Sequence, residues 1–300
     1  MRSRATVRTR CRPVWCKPGL WAGRREGGST AMTNSRVLVL GDGIIAREMA
    51  RELADSGQLV TSFVADGPLF VWKGDGLHAV RELMQTVEVR TFDAVVLAFA
   101  SERETMREIV REVERRMASD ALLLIAALGQ SVTEAASWCA APERVAGYGY
   151  VPPLAGVTCV EAASGLLTSA ETAERASQFL QQGLGREAVW VKDSAGLVMP
   201  RVVAMVINEA AYALMEGIAG AEDLDTAMRL GTNYPFGPLE WADQIGVEQV
   251  VAILQGVFDE QGDDRYRPAP LLQRKARAGQ RFYPEREEAG DDADARGGHY

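Results

Sequence analysis

A Rossmann-like, doubly wound α/β sheet followed by an all-α C-terminal domain is the fold class this chain predicts. Three observations carry it. Short apolar runs alternate with helical spacing between residues 36 and 191. The first run ends in a Gly-x-Gly-x-x-Ala turn. After residue 192 strand-like runs cease and only helical periodicity remains.

The elements follow in order. Residues 36–40 (RVLVL) are a continuous apolar run closed by Gly41, the pattern of a buried parallel strand. Residues 44–56 have helical spacing and stop at Gly57. Residues 59–64 are β-rich. Residues 93–99 (DAVVLAF) and 121–127 (ALLLIAA) are two further apolar strands, separated by a charged helix over 102–118. Residues 145–151, 157–160 and 188–191 read as strands, with a helix over 172–182 between the last two. Helices are then expected over 197–220, 221–230, 238–245, 247–261 and 270–278, with breaks at Gly231, Tyr234-Pro235, Gly262 and Pro268. Four segments result: a basic leader over 1–33, a dinucleotide-binding domain over 34–192, a helical domain over 193–284 and an acidic tail over 285–300 expected to be disordered.

The formal net charge of −8 is unevenly spread: residues 1–31 carry +7 and the chain from Met32 onward −15. An acidic body argues against a nucleic-acid surface. The leader is Arg-rich and poor in acids, as a transit segment is, but Pro13, Pro18 and several glycines break any amphipathic helix. The plainer reading starts translation at Met32. No apolar run has the length of a membrane span, since Arg201, Asn208 and Glu209 interrupt residues 197–214; that segment reads as a buried or interface helix. Of Cys11, Cys16, Cys139 and Cys159, the two in the body lack metal-ligand spacing and the count suggests no disulfide framework, so we expect inert thiols in a reducing, cytoplasmic setting.

The turn Gly41-Asp42-Gly43-Ile44-Ile45-Ala46 sits where a strand opens into a helix. There Gly41 permits the tight turn, Gly43 lets a pyrophosphate approach the backbone, and Ala46 keeps helix close to strand. The expected cofactor is NAD. An acid for the ribose hydroxyls belongs at the end of the second strand. Val64 holds the usual spacing and Asp66 lies two residues on, so Asp66 is either that ligand or a turn aspartate in Asp66-Gly67-Pro68.

An ordered series marks the second half: Asn208-Glu209-Ala210, Glu216-Gly217, EDLDTAM at 222–228, LGTNYPFGPLEWAD at 230–243 and DRYRPAPLL at 264–272. Together these resemble the C-terminal domain of the 3-hydroxyacyl-CoA dehydrogenase family. Gly231-Thr232-Asn233-Tyr234-Pro235 is similar to the partly degenerate second copy in longer members. The first half is similar more loosely, through the phosphate loop, Pro142-Glu143-Arg144-Val145, Val160-Glu161 and Val191-Lys192-Asp193-Ser194. The resemblance implies a dimeric NAD enzyme that oxidises the 3-hydroxyl of an acyl-CoA, with a His–Glu pair as base and an Asn and a Ser positioning the substrate.

The proton-transfer residues are missing. Taking a proton from a secondary alcohol as hydride leaves requires a base of near-neutral pKa, which suits histidine. The chain has two, His78 and His299, neither at the family position. The family's base falls on Gly149, within Gly147-Tyr148-Gly149-Tyr150-Val151-Pro152-Pro153, and its asparagine on Pro200. Its serine falls within Ala126-Ala127-Leu128-Gly129, after which Ser131-Val132-Thr133 is kept. Glu161 matches the partner glutamate, and alternatively is a structural carboxylate. Tyr148, Tyr150, Tyr234 and a buried Lys192 are the substitutes to weigh as bases. The segment between the second strand and Asp93 is also shorter than in active relatives. Two readings stand: an oxidoreductase with impaired catalysis on an acyl-CoA or related 3-hydroxy acid, or a non-catalytic homodimer that binds a dinucleotide or an acyl thioester.

Overall fold

The computed structural model describes residues 34–65, 76–99 and 103–283, with seven strands in one sheet ordered β2-β1-β3-β4-β5-β6-β7. β1 (Arg36–Asp42), β3 (Ala94–Ala98), β4 (Leu122–Ala126) and β5 (Val145–Gly149) form its parallel centre; β3 to β5 are buried at every position. Covered on both faces, such strands need apolar side chains at consecutive positions, as their sequences supply. β2 (Leu59–Ala65) and β7 (Glu187–Val191) are the edges and accordingly carry Thr61, Ser62 and Glu187. β6 (Cys159–Ala163) runs antiparallel to β5 and parallel to β7.

Helices α1 (Gly43–Asp55), α2 (Gly76–Thr86), α3 (Arg103–Glu114), α4 (Val132–Ser137) and α5 (Ala170–Gln178) flank the sheet. α1 buries Ile45, Ala46, Met49, Ala50 and Leu53, and α3 buries Met106, Ile109, Val110 and Val113; both follow helical spacing. The C-terminal helices are α6 (Met199–Met215), α7 (Ala221–Thr232), α8 (Pro238–Ile245), α9 (Val247–Gln261) and α10 (Pro270–Ala278). Asn233, Gly262 and Gly279 end α7, α9 and α10 in left-handed backbone.

Several boundaries differ from expectation. α6 begins at Met199, because Gly196 and Leu197 have φ of 72° and 45° and cannot continue a right-handed helix. α7 runs through Gly231 to Thr232, so that glycine is no break. α3 stops at Glu114. α5 passes into one π-helical turn over Phe179–Gly183. β5 ends at Gly149, and β6 starts at Cys159 rather than at residue 157. Cys11, Cys16, Asp66, His299, the leader and the tail over 285–300 lie outside the described residues.

One core cluster crosses the boundary near residue 193. Val39 and Ala98 of the sheet and Ile45 of α1 share it with Ile207, Trp241 and Val250 of the C-terminal helices. Carboxylates reinforce the joint. Asp193 accepts from the Val132 and Thr133 amides that open α4, at 2.7 and 2.8 Å. Glu260 of α9 accepts from Ser194 Oγ and the Ala195 amide. Among the described residues no helix is long and apolar enough to cross a membrane.

Candidate active site

The strand order reverses between β1 and β3, and the chain delivers the Gly41–Gly43 turn to the carboxyl end of β1 at that switch point. The packing divides the turn's roles differently from expectation: Gly41 serves the close strand–helix approach and Gly43 the turn itself. A side chain on Gly41 would collide with the Ala98 carbonyl of β3 and with the methyl of Ala46, so the strand–helix approach requires a glycine. Gly43, with φ of 65°, turns the backbone into α1 in a conformation that glycine adopts without penalty. Ile45 and Ala46 are buried, Ile44 is half-buried and Asp42 is fully buried as the N-cap. The cradle therefore fits a dinucleotide's pyrophosphate, with one addition that sequence reasoning missed. The carboxamide of Gln249, in the first turn of α9, lies against the open side of Gly43 and donates to the Asp42 carbonyl at 3.2 Å.

The positions matched to the base and its partner meet directly. Gly149 of β5 pairs with Glu161 of β6 across the antiparallel ladder. Glu161 is 8% exposed, and its carboxylate accepts from the Val198 and Met199 amides at 2.9 and 2.8 Å. It thus satisfies two orphan donors at the start of α6, whose own N-cap residue offers no side-chain bond. Burial pushes its pKa up, against the pull of those two amides. A Cβ on Gly149 would stand 2.9 Å from Leu197 Cδ1 and 3.6 Å from Pro200 Cγ, so these two side chains fill the space an imidazole would take. Pro200 occupies the first turn of α6, where its missing N–H is harmless. Arg201, next to it, stacks on Tyr266 with its guanidinium 4.7 Å from the ring centre and donates to the Tyr266 hydroxyl.

Between these two places runs an apolar seam lined by Ile45, Tyr150, Pro200, Ala204, Ile245 and Val250, among others. None of the substitutes weighed as bases serves it. Tyr150 donates its hydroxyl to the Ile45 carbonyl at 2.8 Å, and burial lifts its pKa well above the usual phenol range. Tyr148 is fully buried in the sheet core, its pKa likewise raised by burial. Lys192, weighed as a buried lysine, is exposed. Tyr234 packs edge-on against Trp241. His78 falls in the first turn of α2. Ser131 caps α4 by accepting from the Glu134 amide. Asn208 spends its amide on Arg267 and Ala269, fixing the turn before α10. The thiol of Cys139 is pushed up to about 12 by burial, consistent with an inert residue.

Comparison with known proteins gives two adjoining family matches. Residues 73–194 match the 3-hydroxyacyl-CoA dehydrogenase NAD-binding domain, and residues 196–287 match the C-terminal domain of the same family. The first match begins after β1 and the Gly41–Gly43 turn. A probable 3-hydroxybutyryl-CoA dehydrogenase of Bacillus subtilis is 35% identical over 66% of this chain and 69% of its own length. A 3-hydroxybutyryl-CoA dehydrogenase of Clostridioides difficile is 31% identical over 69% of this chain and 74% of its own. The crystal structure of an (S)-3-hydroxybutyryl-CoA dehydrogenase from Ralstonia eutropha superposes with a TM-score of 0.61 at 25% identity, covering 82% of this chain and 95% of that one.

Proposed function

Because this chain belongs to the 3-hydroxyacyl-CoA dehydrogenase family and carries its NAD-binding domain, we propose that it is an NAD-dependent oxidoreductase for the 3-position of an acyl-CoA or related 3-hydroxy acid whose proton transfer is impaired. The observation that carries the impairment is the Gly149–Glu161 pair. The strands bring these two positions face to face, yet one has no side chain and the other is engaged by two backbone amides. NAD supplies the hydride acceptor when bound. The chain's own part would be to cradle the pyrophosphate at residues 41–46, bind the acyl substrate and take the hydroxyl proton. For the last task no imidazole is in place at 149, and Glu161 would first have to release α6. Reduction of acetoacetyl-CoA by NADH, followed at 340 nm, tests the reading: turnover as fast as in the Clostridioides difficile relative would overturn the impairment.

The second reading, a non-catalytic binder of a dinucleotide or acyl thioester, draws on the same observations and differs in one outcome. It expects saturable binding of NADH or acetoacetyl-CoA with no turnover. In either case we propose a homodimer through α6, which buries Val203, Ala204, Ile207 and Ala211 against its neighbours yet leaves Val198, Met199 and Val202 exposed. A row of exposed aliphatic side chains on one helix favours a covering surface. Light scattering should report twice the chain mass, and Val202→Asp should halve it; a monomeric parent at micromolar concentration would remove the proposal. A cytoplasmic location belongs to the same reading.

A further inference from the structure

Gln249 stands apart from the rest of its helix face. Its neighbours on α9, Val247, Val250 and Ile253, are buried and apolar, and Gln249 itself is only 3% exposed. A carboxamide can make up to four hydrogen bonds. Here Nε2 donates to the Asp42 carbonyl, while Oε1 is buried with no hydrogen-bond partner among the described residues. Turning the amide over would set its oxygen against the Asp42 carbonyl oxygen, so the unmatched acceptor is a property of the position and not of the assignment. A buried unpaired oxygen is unfavourable and is uncommon in a contact whose only purpose is packing. The position in question is the open side of Gly43, which in a dinucleotide fold is where the pyrophosphate meets the backbone. Val250, beside it in α9, and Ile45, in the loop, are buried apolar residues and offer Oε1 no hydrogen bond.

We propose that the Gln249 carboxamide is a displaceable occupant of the pyrophosphate position: it fills the space beside Gly43 in the cofactor-free chain and withdraws when NAD binds. The proposal rests on reading residues 41–46 as a dinucleotide loop. Whatever free energy holds the amide in place is subtracted from NAD affinity, because the binding-competent state is then only fractionally populated. Removing the amide should therefore tighten NADH binding, by about two- to tenfold if one hydrogen bond is at stake. A residue that merely joined α9 to α1, or one that donated to the bound pyrophosphate, would give the opposite sign.

The experiment is NADH titration, by fluorescence and by calorimetry, of the full chain and of Gln249→Ala and Gln249→Ser, with circular dichroism to establish that each is folded. The serine variant serves if the emptied space and the unmatched Asp42 carbonyl prevent folding of the alanine variant. A lower Kd in a folded variant, or binding by a variant where the parent shows none, supports the proposal. An unchanged or higher Kd in both variants overturns it and leaves the dinucleotide loop standing. No binding by parent or variants overturns the loop reading and the proposal with it.

Discussion

Two glycines, Gly43 and Gly149, look toward the C-terminal helices, and the helices answer them differently. At Gly43 the dinucleotide chemistry calls for a glycine, and the space it leaves is taken by a polar amide with one oxygen unmatched. At Gly149 the proton-transfer chemistry calls for an imidazole, and the space its absence leaves is taken by Leu197 and Pro200. Leu197 is 3% exposed and held at φ 45°, a conformation that costs a non-glycine residue about 1–2 kcal/mol. The first occupant is held by one hydrogen bond and the second is anchored by burial. On the proposed reading, the filling at the cofactor end is therefore reversible, whereas that at position 149 is fixed hydrocarbon.

The largest effect expected from this contrast is on turnover. Reduction of acetoacetyl-CoA should run about two to four orders of magnitude below that of intact relatives, the usual worth of general acid–base catalysis. Gly149→His with Pro200→Asn should restore little by itself, since the new Cβ lies 2.9 Å from Leu197 Cδ1; adding Leu197→Ala should raise kcat. Equal kcat with and without the Leu197 change would mean that the filling of this space does not matter.

Next in size is the loss expected from Gly43→Val. It should remove measurable NADH binding, but it should also lower the melting temperature, because the added side chain meets Gln249 and sits at φ 65°. Combining it with Gln249→Ala should recover part of the thermal stability and none of the NADH binding. Recovery of both would place the defect in packing and not in the pyrophosphate cradle.

The smallest effect concerns Glu161. Glu161→Gln keeps one acceptor for two amides and should cost about 1 kcal/mol at neutral pH, the scale of a lost helix cap. The pH dependence has a definite sign. Burial raises the folded pKa of Glu161 above its ordinary value. Its contribution to stability is therefore fully present below that ordinary value and falls as pH rises through the folded pKa. Urea midpoints between pH 4.5 and 8 should slope downward more steeply for the parent than for the glutamine variant. Parallel curves would show that Glu161 does not titrate in this range.

Much of the fold was legible because local periodicity decides it. The all-apolar runs at β3 and β4, short and followed or preceded by helical spacing, read as covered strands, and the left-handed caps at Gly262 and Gly279 end helices where expected. The phosphate loop was legible for the same reason: strand, turn and helix are consecutive. What escaped was long-range. Gln249 and Asp42 are 207 residues apart, and nothing local relates them. The one available signal was a glutamine on the otherwise apolar face of Val247, Val250 and Ile253, which in a buried helix always asks for a partner. The role of Glu161 as the cap of α6 was likewise hidden, because its amide partners lie 37 and 38 positions away.

Gly256 of α9 rests on the backbone of Gly129, close enough that a methyl there would collide with the Gly129 carbonyl. Any larger residue at this point would hold α9 off the loop that follows β4. Gln249 lies on the same helix, seven residues or about 10 Å along it, so the seat at Gly256 also bears on how closely its carboxamide reaches the Asp42 carbonyl. The spacing between two glycine backbones is thus a ruler for the mouth of the loop.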